Sequence, residues 1–89
     1  MVGSYTVRFT NEAASDLARL DRLVAKRILK KIKWMSQNLE VVTPIPLHGS
    51  LNNKYKLVVG DWRVVYDLNS EPRLIVILFV GHRSAVYNR

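Results

Sequence analysis

The chain has 89 residues, 48% of them apolar and 24% charged, which suits one globular domain and leaves no room for a second core. Fourteen Lys and Arg stand against seven Asp and Glu, a net charge of +7, so an anionic partner is expected: nucleic acid, an acidic protein or a membrane surface. The lack of cysteine excludes disulfides, thiol catalysis and cysteine-ligated zinc, and with only His48 and His82 a three-histidine zinc site is excluded too.

No apolar run approaches the roughly 20 residues of a membrane-spanning helix. Met1-Val2-Gly3-Ser4 has no basic region followed by an apolar stretch, so a soluble, cytoplasmic protein is expected. Residues 2–9 alternate in part, with Tyr5, Val7 and Phe9 against Ser4, Thr6 and Arg8, and predict a short strand. Thr10-Asn11-Glu12 then reads as a helix start, with Thr or Asn as the cap and Glu12 at the positive end of the dipole. From Ala13 to Leu39 the apolar spacing becomes helical: Leu17, Leu20, Leu23, Val24, Ile28, Ile32, Met35 and Leu39. Asp21 interrupts this run, which predicts a helical hairpin, with one bent helix as the alternative. The polar side carries Arg19, Arg22, Lys26, Arg27, Lys30, Lys31 and Lys33 against Asp21 alone, the most positive stretch of the chain.

Glu40 to Asn53 reads as a connector, since Pro44 and Pro46 cannot lie inside a helix and Gly49-Ser50 and Asn52-Asn53 form turns. Residues 54–59 and 62–68 predict two strands joined at Gly60-Asp61, a pair suited to a two-residue hairpin. A second turn follows at 68–72. Residues 73–80 are nearly all apolar, as in a central strand covered on both faces. The order predicts an α+β domain: an N-terminal strand, a helical hairpin, then a three-stranded antiparallel meander forming a small sheet with the helices on one face.

A two-residue turn at Gly60-Asp61 sets Val59 opposite Trp62, Leu57 opposite Val64 and Tyr55 opposite Tyr66. Side chains alternate across a sheet. One face then holds Tyr55, Leu57, Val59, Trp62, Val64, Tyr66 and Leu68, and belongs under the helices. The other holds Lys54, Lys56, Val58, Arg63, Val65 and Asp67 and should face solvent. Lys56 and Arg63 become diagonal neighbours, roughly 7–8 Å apart at Cα. Lys54 opposite Asp67 is an exposed pair of about 0–1 kcal/mol, and Asp67 does not neutralise Arg63.

Leu47-His48-Gly49, Tyr55-Lys56-Leu57, Trp62-Arg63-Val64-Val65-Tyr66 and Val80-Gly81-His82-Arg83 with Val86-Tyr87, in this order along the whole chain, resemble the RelE/ParE superfamily of toxins from type II toxin–antitoxin modules. Each motif is short; the ordered set is the specific feature. The resemblance to the RelE branch implies a metal-independent endoribonuclease that needs no cofactor and cleaves mRNA in the ribosomal A site. The RNA's own 2′-hydroxyl attacks the phosphate and leaves a cyclic phosphate. Family positions map to Lys56, Arg63, Arg83 and Tyr87, with His82 beside them. Where the family often has a second basic residue, two places after the lysine, this chain has Val58. The implied partners are a cognate antitoxin, the ribosome and mRNA, with operator DNA met only through the toxin–antitoxin complex and no membrane.

Such cleavage needs a proton acceptor at the 2′-oxygen, a donor at the 5′-oxygen and cations around the phosphorane-like transition state. Arg63 and Arg83 suit bidentate phosphate contacts. Lys56 or Tyr87 would serve as base, or Tyr87 would orient the RNA by stacking. His82 would be the acid, since imidazole titrates near neutrality. Lys26, Arg27, Lys30, Lys31, Lys33 and Lys54 are the candidates for RNA and ribosomal RNA phosphates. Plainer readings stand beside these: Tyr87 as a hydrophobic plug near the terminus, His82 as a strand-end hydrogen-bonder, the basic helix face as solvated surface. His48 reads as a turn residue, and Trp34 and Trp62 as core or interface aromatics. A ParE-type toxin that binds DNA gyrase without catalysis is the competing expectation, and a purely antitoxin-binding co-repressor is a third. An antitoxin is expected to cover the basic groove, to displace the tail from Gly81 onward or to add a strand at a sheet edge.

Overall fold

The structure, a computed structural model, describes residues 4–88. Its elements are β1 (Thr6–Phe9), α1 (Asn11–Ala18), α2 (Arg22–Gln37), β2 (Ile45–Pro46), a 3-10 turn at Gly49–Leu51, β3 (Tyr55–Val59), β4 (Trp62–Ser70), β5 (Arg73–His82) and a closing 3-10 turn at Val86–Asn88. Residues 2 and 3 of the expected first strand lie outside the described residues.

The helical hairpin forms, and the bent-helix alternative is set aside, because both helices have side-chain caps. The Thr10 hydroxyl accepts the Ala13 amide at 3.1 Å. The Asp21 carboxylate accepts the Leu23 amide at 3.1 Å and caps the start of α2 as a separate helix. The α+β class holds, but the sheet is larger than the predicted meander. Five strands lie in the order β1-β5-β4-β3-β2. β1 runs parallel beside β5, with Val7 next to Ile75. Parallel neighbours need a long crossover, and α1 with α2 supplies it. β2 lies within the stretch read as connector and pairs Ile45 with Lys56 at the edge of β3. Pro46 has no backbone N–H to donate, so it suits an edge strand.

The hairpin register is the predicted one: Tyr55 faces Tyr66, Leu57 faces Val64 and Val59 faces Trp62. Gly60 adopts φ +59, the left-handed region that the turn requires. Leu57, Val59, Val64, Tyr66, Ile75, Ile77 and Val80 meet Ile28, Ile32 and Met35 of α2 in one core. Each large aliphatic side chain buried there contributes about 1.5–3 kcal/mol.

Between β4 and β5 the register shifts at Val65/Tyr66, so that Tyr66 faces Ile77 while Val65 faces Phe79. Leu78 is the extra residue of this bulge, and the inward series therefore runs Ile75, Ile77, Val80. The shift sets Gly81 opposite Arg63 on the outer face. That face is not simply solvated, as the alternation predicted, for Val65 is fully buried. The chain's own tail folds onto it. Val86 is buried, and a Cβ on Gly81 would lie 3.1 Å from the Val86 Cβ. Beyond the end of β1, α1 covers the free edge of β5. The Thr10 hydroxyl donates to the Leu78 carbonyl at 2.6 Å, and the Asp16 carboxylate accepts the Val80 amide at 2.9 Å. Among the described residues no helix is long and apolar enough to cross a membrane.

Candidate active site

Lys56 and Arg63 share the outer face of the β3–β4 ribbon, one on each strand, as strand alternation and the observed register require. Both are half-buried. The Arg63 Nη1 donates to the carbonyls of Gly60 at 2.9 Å and Trp62 at 3.0 Å. These bonds moor the guanidinium at the hairpin turn, and donors remain on Nε and Nη2. Arg83 reaches the same turn from the tail. Its amide donates to the Asp61 carbonyl at 2.8 Å, and its Nε lies 3.5 Å from the Asp61 carboxylate, an exposed and long pair.

Tyr87 comes to the outer face because Val86 seats the closing turn against Gly81. Tyr87 and Lys56 line one open cavity of about 350 Å³, together with Leu47, His48, Gly49, Ser50 and Leu51. The four principal residues therefore form two adjoining groups. Lys56 and Tyr87 sit in the cavity, while Arg63 and Arg83 sit at the hairpin turn.

His82 stands apart from them. It is the cross-strand partner of Trp62, and the two rings meet edge to face at 5.4 Å between centroids. Trp62 packs on the core, so this pair belongs to the helix side of the sheet, opposite Lys56 and Arg63. His82 Nδ1 accepts the Ser84 amide at 3.2 Å and lies 2.8 Å from the Ser84 hydroxyl. The strand-end hydrogen-bonding reading describes this placement.

His48 precedes the 3-10 turn, as a turn residue should. Sequence reasoning nonetheless missed that it lines the cavity with Lys56 and Tyr87. The only local hint was Leu47-His48-Gly49 lying shortly before a strand. What brings it close is the β2–β3 pairing, continued by the Leu47 amide donating to the Lys54 carbonyl at 2.9 Å.

The six cations proposed for RNA contact divide by position. Lys54 pairs with Asp67 at 3.0 Å, as the hairpin geometry predicted. Arg27, Lys30 and Lys31 line a cleft between α2 and the hairpin. Lys26 borders the groove between α1 and α2, and Lys33 is exposed. Among the described residues, no ion pair involves Lys26, Arg27, Lys30, Lys31, Lys33, Lys56 or Arg63. Trp62 is an aromatic packed on the core, as read from the sequence, but Trp34 is 45% exposed and is not a core residue. Its place on α2 lies just beside the Ile28, Ile32, Met35 stripe rather than on it. Among the described residues no three His, Cys, Asp or Glu side chains gather as a metal site would require.

This arrangement can grip a phosphodiester with two guanidinium groups at one end and offer an amine and a phenol at the other. Comparison with known proteins agrees with the family resemblance. Residues 7–87 match the family described as ParE toxin of type II toxin-antitoxin system, parDE. A putative RelE-like toxin protein of Escherichia coli is 31% identical over 87 residues, covering 94% of this chain and 90% of that one. Toxin RelG of Mycobacterium tuberculosis is 29% identical over 85 residues, covering 96% and 98%. The crystal structure of the RelBE2 toxin–antitoxin complex from Mycobacterium tuberculosis contains a chain that superposes with a TM-score of 0.82 at 29% identity, covering 94% and 97%.

Proposed function

Starting from the fact that the chain belongs to the ParE toxin family, within the RelE/ParE superfamily of type II toxin–antitoxin systems, we propose that it is a metal-independent endoribonuclease that cleaves mRNA in the ribosomal A site. The observation that carries this reading is Lys56 and Tyr87 lining one cavity, on the sheet face that also bears Arg63. A toxin acting only by binding would have no need of this set.

In the proposed reaction the RNA 2′-oxygen attacks the adjacent phosphorus, the bond to the 5′-oxygen breaks, and a 2′,3′-cyclic phosphate remains. Lys56 or Tyr87 accepts the 2′ proton. The 5′-oxygen takes a proton from the other of the two or from His48, which shares the cavity. Arg63 and Arg83 hold the non-bridging oxygens as negative charge builds. His82 is assigned an indirect part: its ring, packed on Trp62 and held by Ser84, fixes the start of the segment that carries Arg83. With Val58 in place of a second cation, positioning by the ribosome carries more of the catalysis.

The proposed partners are the ribosome, mRNA and a cognate antitoxin, as the RelBE2 complex has one. The test is a ribosome-programmed translation extract read by primer extension. Cuts within A-site codons are expected; intact mRNA at full translation inhibition excludes the nuclease.

The description of the matched family favours one second reading, a ParE-type toxin that inhibits DNA gyrase without catalysis. A gyrase supercoiling assay separates the two, because only this reading predicts inhibition there.

A further inference from the structure

Trp34 has the largest apolar side chain on α2, yet it is 45% exposed. The core stripe of Ile28, Ile32 and Met35 leaves it out. It lies instead along the helix from Arg27, Lys30 and Lys31, and these four side chains with Val59 line a cleft of about 310 Å³, within the range of small-ligand sites. The Lys31 Nζ sits over one face of the indole, 4.7 Å from its centroid, so a base would stack on the opposite face. Arg27, Lys30 and Lys31 take part in no ion pair among the described residues. Arg27 also reaches across the cleft: its Nη2 would lie 3.3 Å from a Cβ built on Gly60. The cleft therefore runs up to the turn on which Arg63 and Arg83 are anchored.

We propose that this cleft is a second RNA contact, in which Trp34 stacks an unpaired base and Arg27, Lys30 and Lys31 hold the phosphates beside it. The proposal rests on the reading of the chain as a toxin acting on RNA. A flat ring beside cations that form no ion pair is how proteins hold single-stranded RNA, since every base has a π-face and every linkage a charge. A protein helix would find a better seat elsewhere. The groove between α1 and α2 offers it Leu17, Leu20, Leu23 and Leu29, whereas the Trp34 cleft offers one ring and one valine. The site lies on the helix side of the hairpin turn, so it would hold a stretch of RNA outside the reacting linkage.

The experiment uses free RNA without ribosomes. A Trp62→Phe variant leaves Trp34 as the sole tryptophan, and it is titrated with a ten-nucleotide oligoadenylate and, separately, with inorganic polyphosphate. The expected result is saturable quenching by the RNA and little by polyphosphate, which carries charge without bases. In the otherwise unaltered chain, Trp34→Ala should weaken oligoadenylate binding, read by anisotropy, by roughly five- to 150-fold. Trp34→Phe should restore most of it, and the salt slope should barely change. Unchanged affinity in Trp34→Ala, no quenching by oligoadenylate, or equal quenching by polyphosphate overturns the proposal. A-site cleavage is a separate readout. Its absence with quenching intact removes the nuclease and leaves this site standing, and the reverse result removes this site alone.

Discussion

The Tyr66 ring sits in the core 5.7 Å from that of Tyr55. Burial pushes its phenol up to about 12, and the neighbouring Tyr55 adds to the shift. The unfolded chain releases this proton near pH 10, the folded chain only near 12. The stabilisation is therefore complete below pH 10 and lost as pH rises through 12, on the order of 2–3 kcal/mol. Urea unfolding at pH 9 and pH 11.5 should show a fall in the wild type that Tyr66→Phe lacks. Parallel declines in the two proteins would refute the assignment. Arg83 has the opposite character. Its side chain is mostly exposed and its contact with Asp61 is long, so Arg83→Ala should change stability by less than about 0.5 kcal/mol. The same substitution is expected to abolish growth arrest and A-site cuts. Unchanged toxicity, with thermal unfolding also unchanged, takes Arg83 out of the site.

At the scale of elements, the closing turn is the piece on which the candidate site most depends. Tyr87 is carried to Lys56 by Val86, and Val86 lies so close to Gly81 that a side chain there would press on its Cβ. The bulge at Val65/Tyr66 is what sets a glycine opposite Arg63. Gly81→Val should therefore lift the turn off the sheet while the core stays folded. Faster amide exchange at 86–88 and sharply reduced cleavage, with far-UV dichroism unchanged, are the expected results. Slow exchange at Val86 in that variant would show that the turn tolerates the added bulk. The first two helices follow a different logic. Their caps, Thr10 and Asp21, stand in the chain beside the amides they satisfy, so sequence was enough to divide them.

Over the whole molecule, the net charge of +7 is concentrated on α2, which carries six of the fourteen Lys and Arg and no acidic residue. If Arg27, Lys30 and Lys31 each neutralise one phosphate of a single strand, log affinity should fall with log salt with a slope of about −2. Replacing all three by Gln should leave a slope nearer zero, measured with the same oligonucleotide; a slope unmoved by the triple change would locate the electrostatic contact elsewhere.

Local physics determined much of this protein. Apolar spacing fixed the inner face of α2, Gly60-Asp61 fixed the hairpin register, and alternation then put Lys56 and Arg63 on one face. These follow from periods of two and 3.6 residues and from a turn that permits one pairing. What tertiary structure alone decided are relations between segments distant in the chain. Such are β1 beside β5, the bulge that turns Gly81 outward, the tail that buries Val65's face and brings Tyr87 to Lys56, and the sides taken by His82 and Trp34. Thr10 meets Leu78 across 68 residues, and no periodicity within either segment encodes that contact. It arises because an unpaired strand edge and an uncovered sheet face must find partners, and only the assembled fold determines which segment is near enough to supply them.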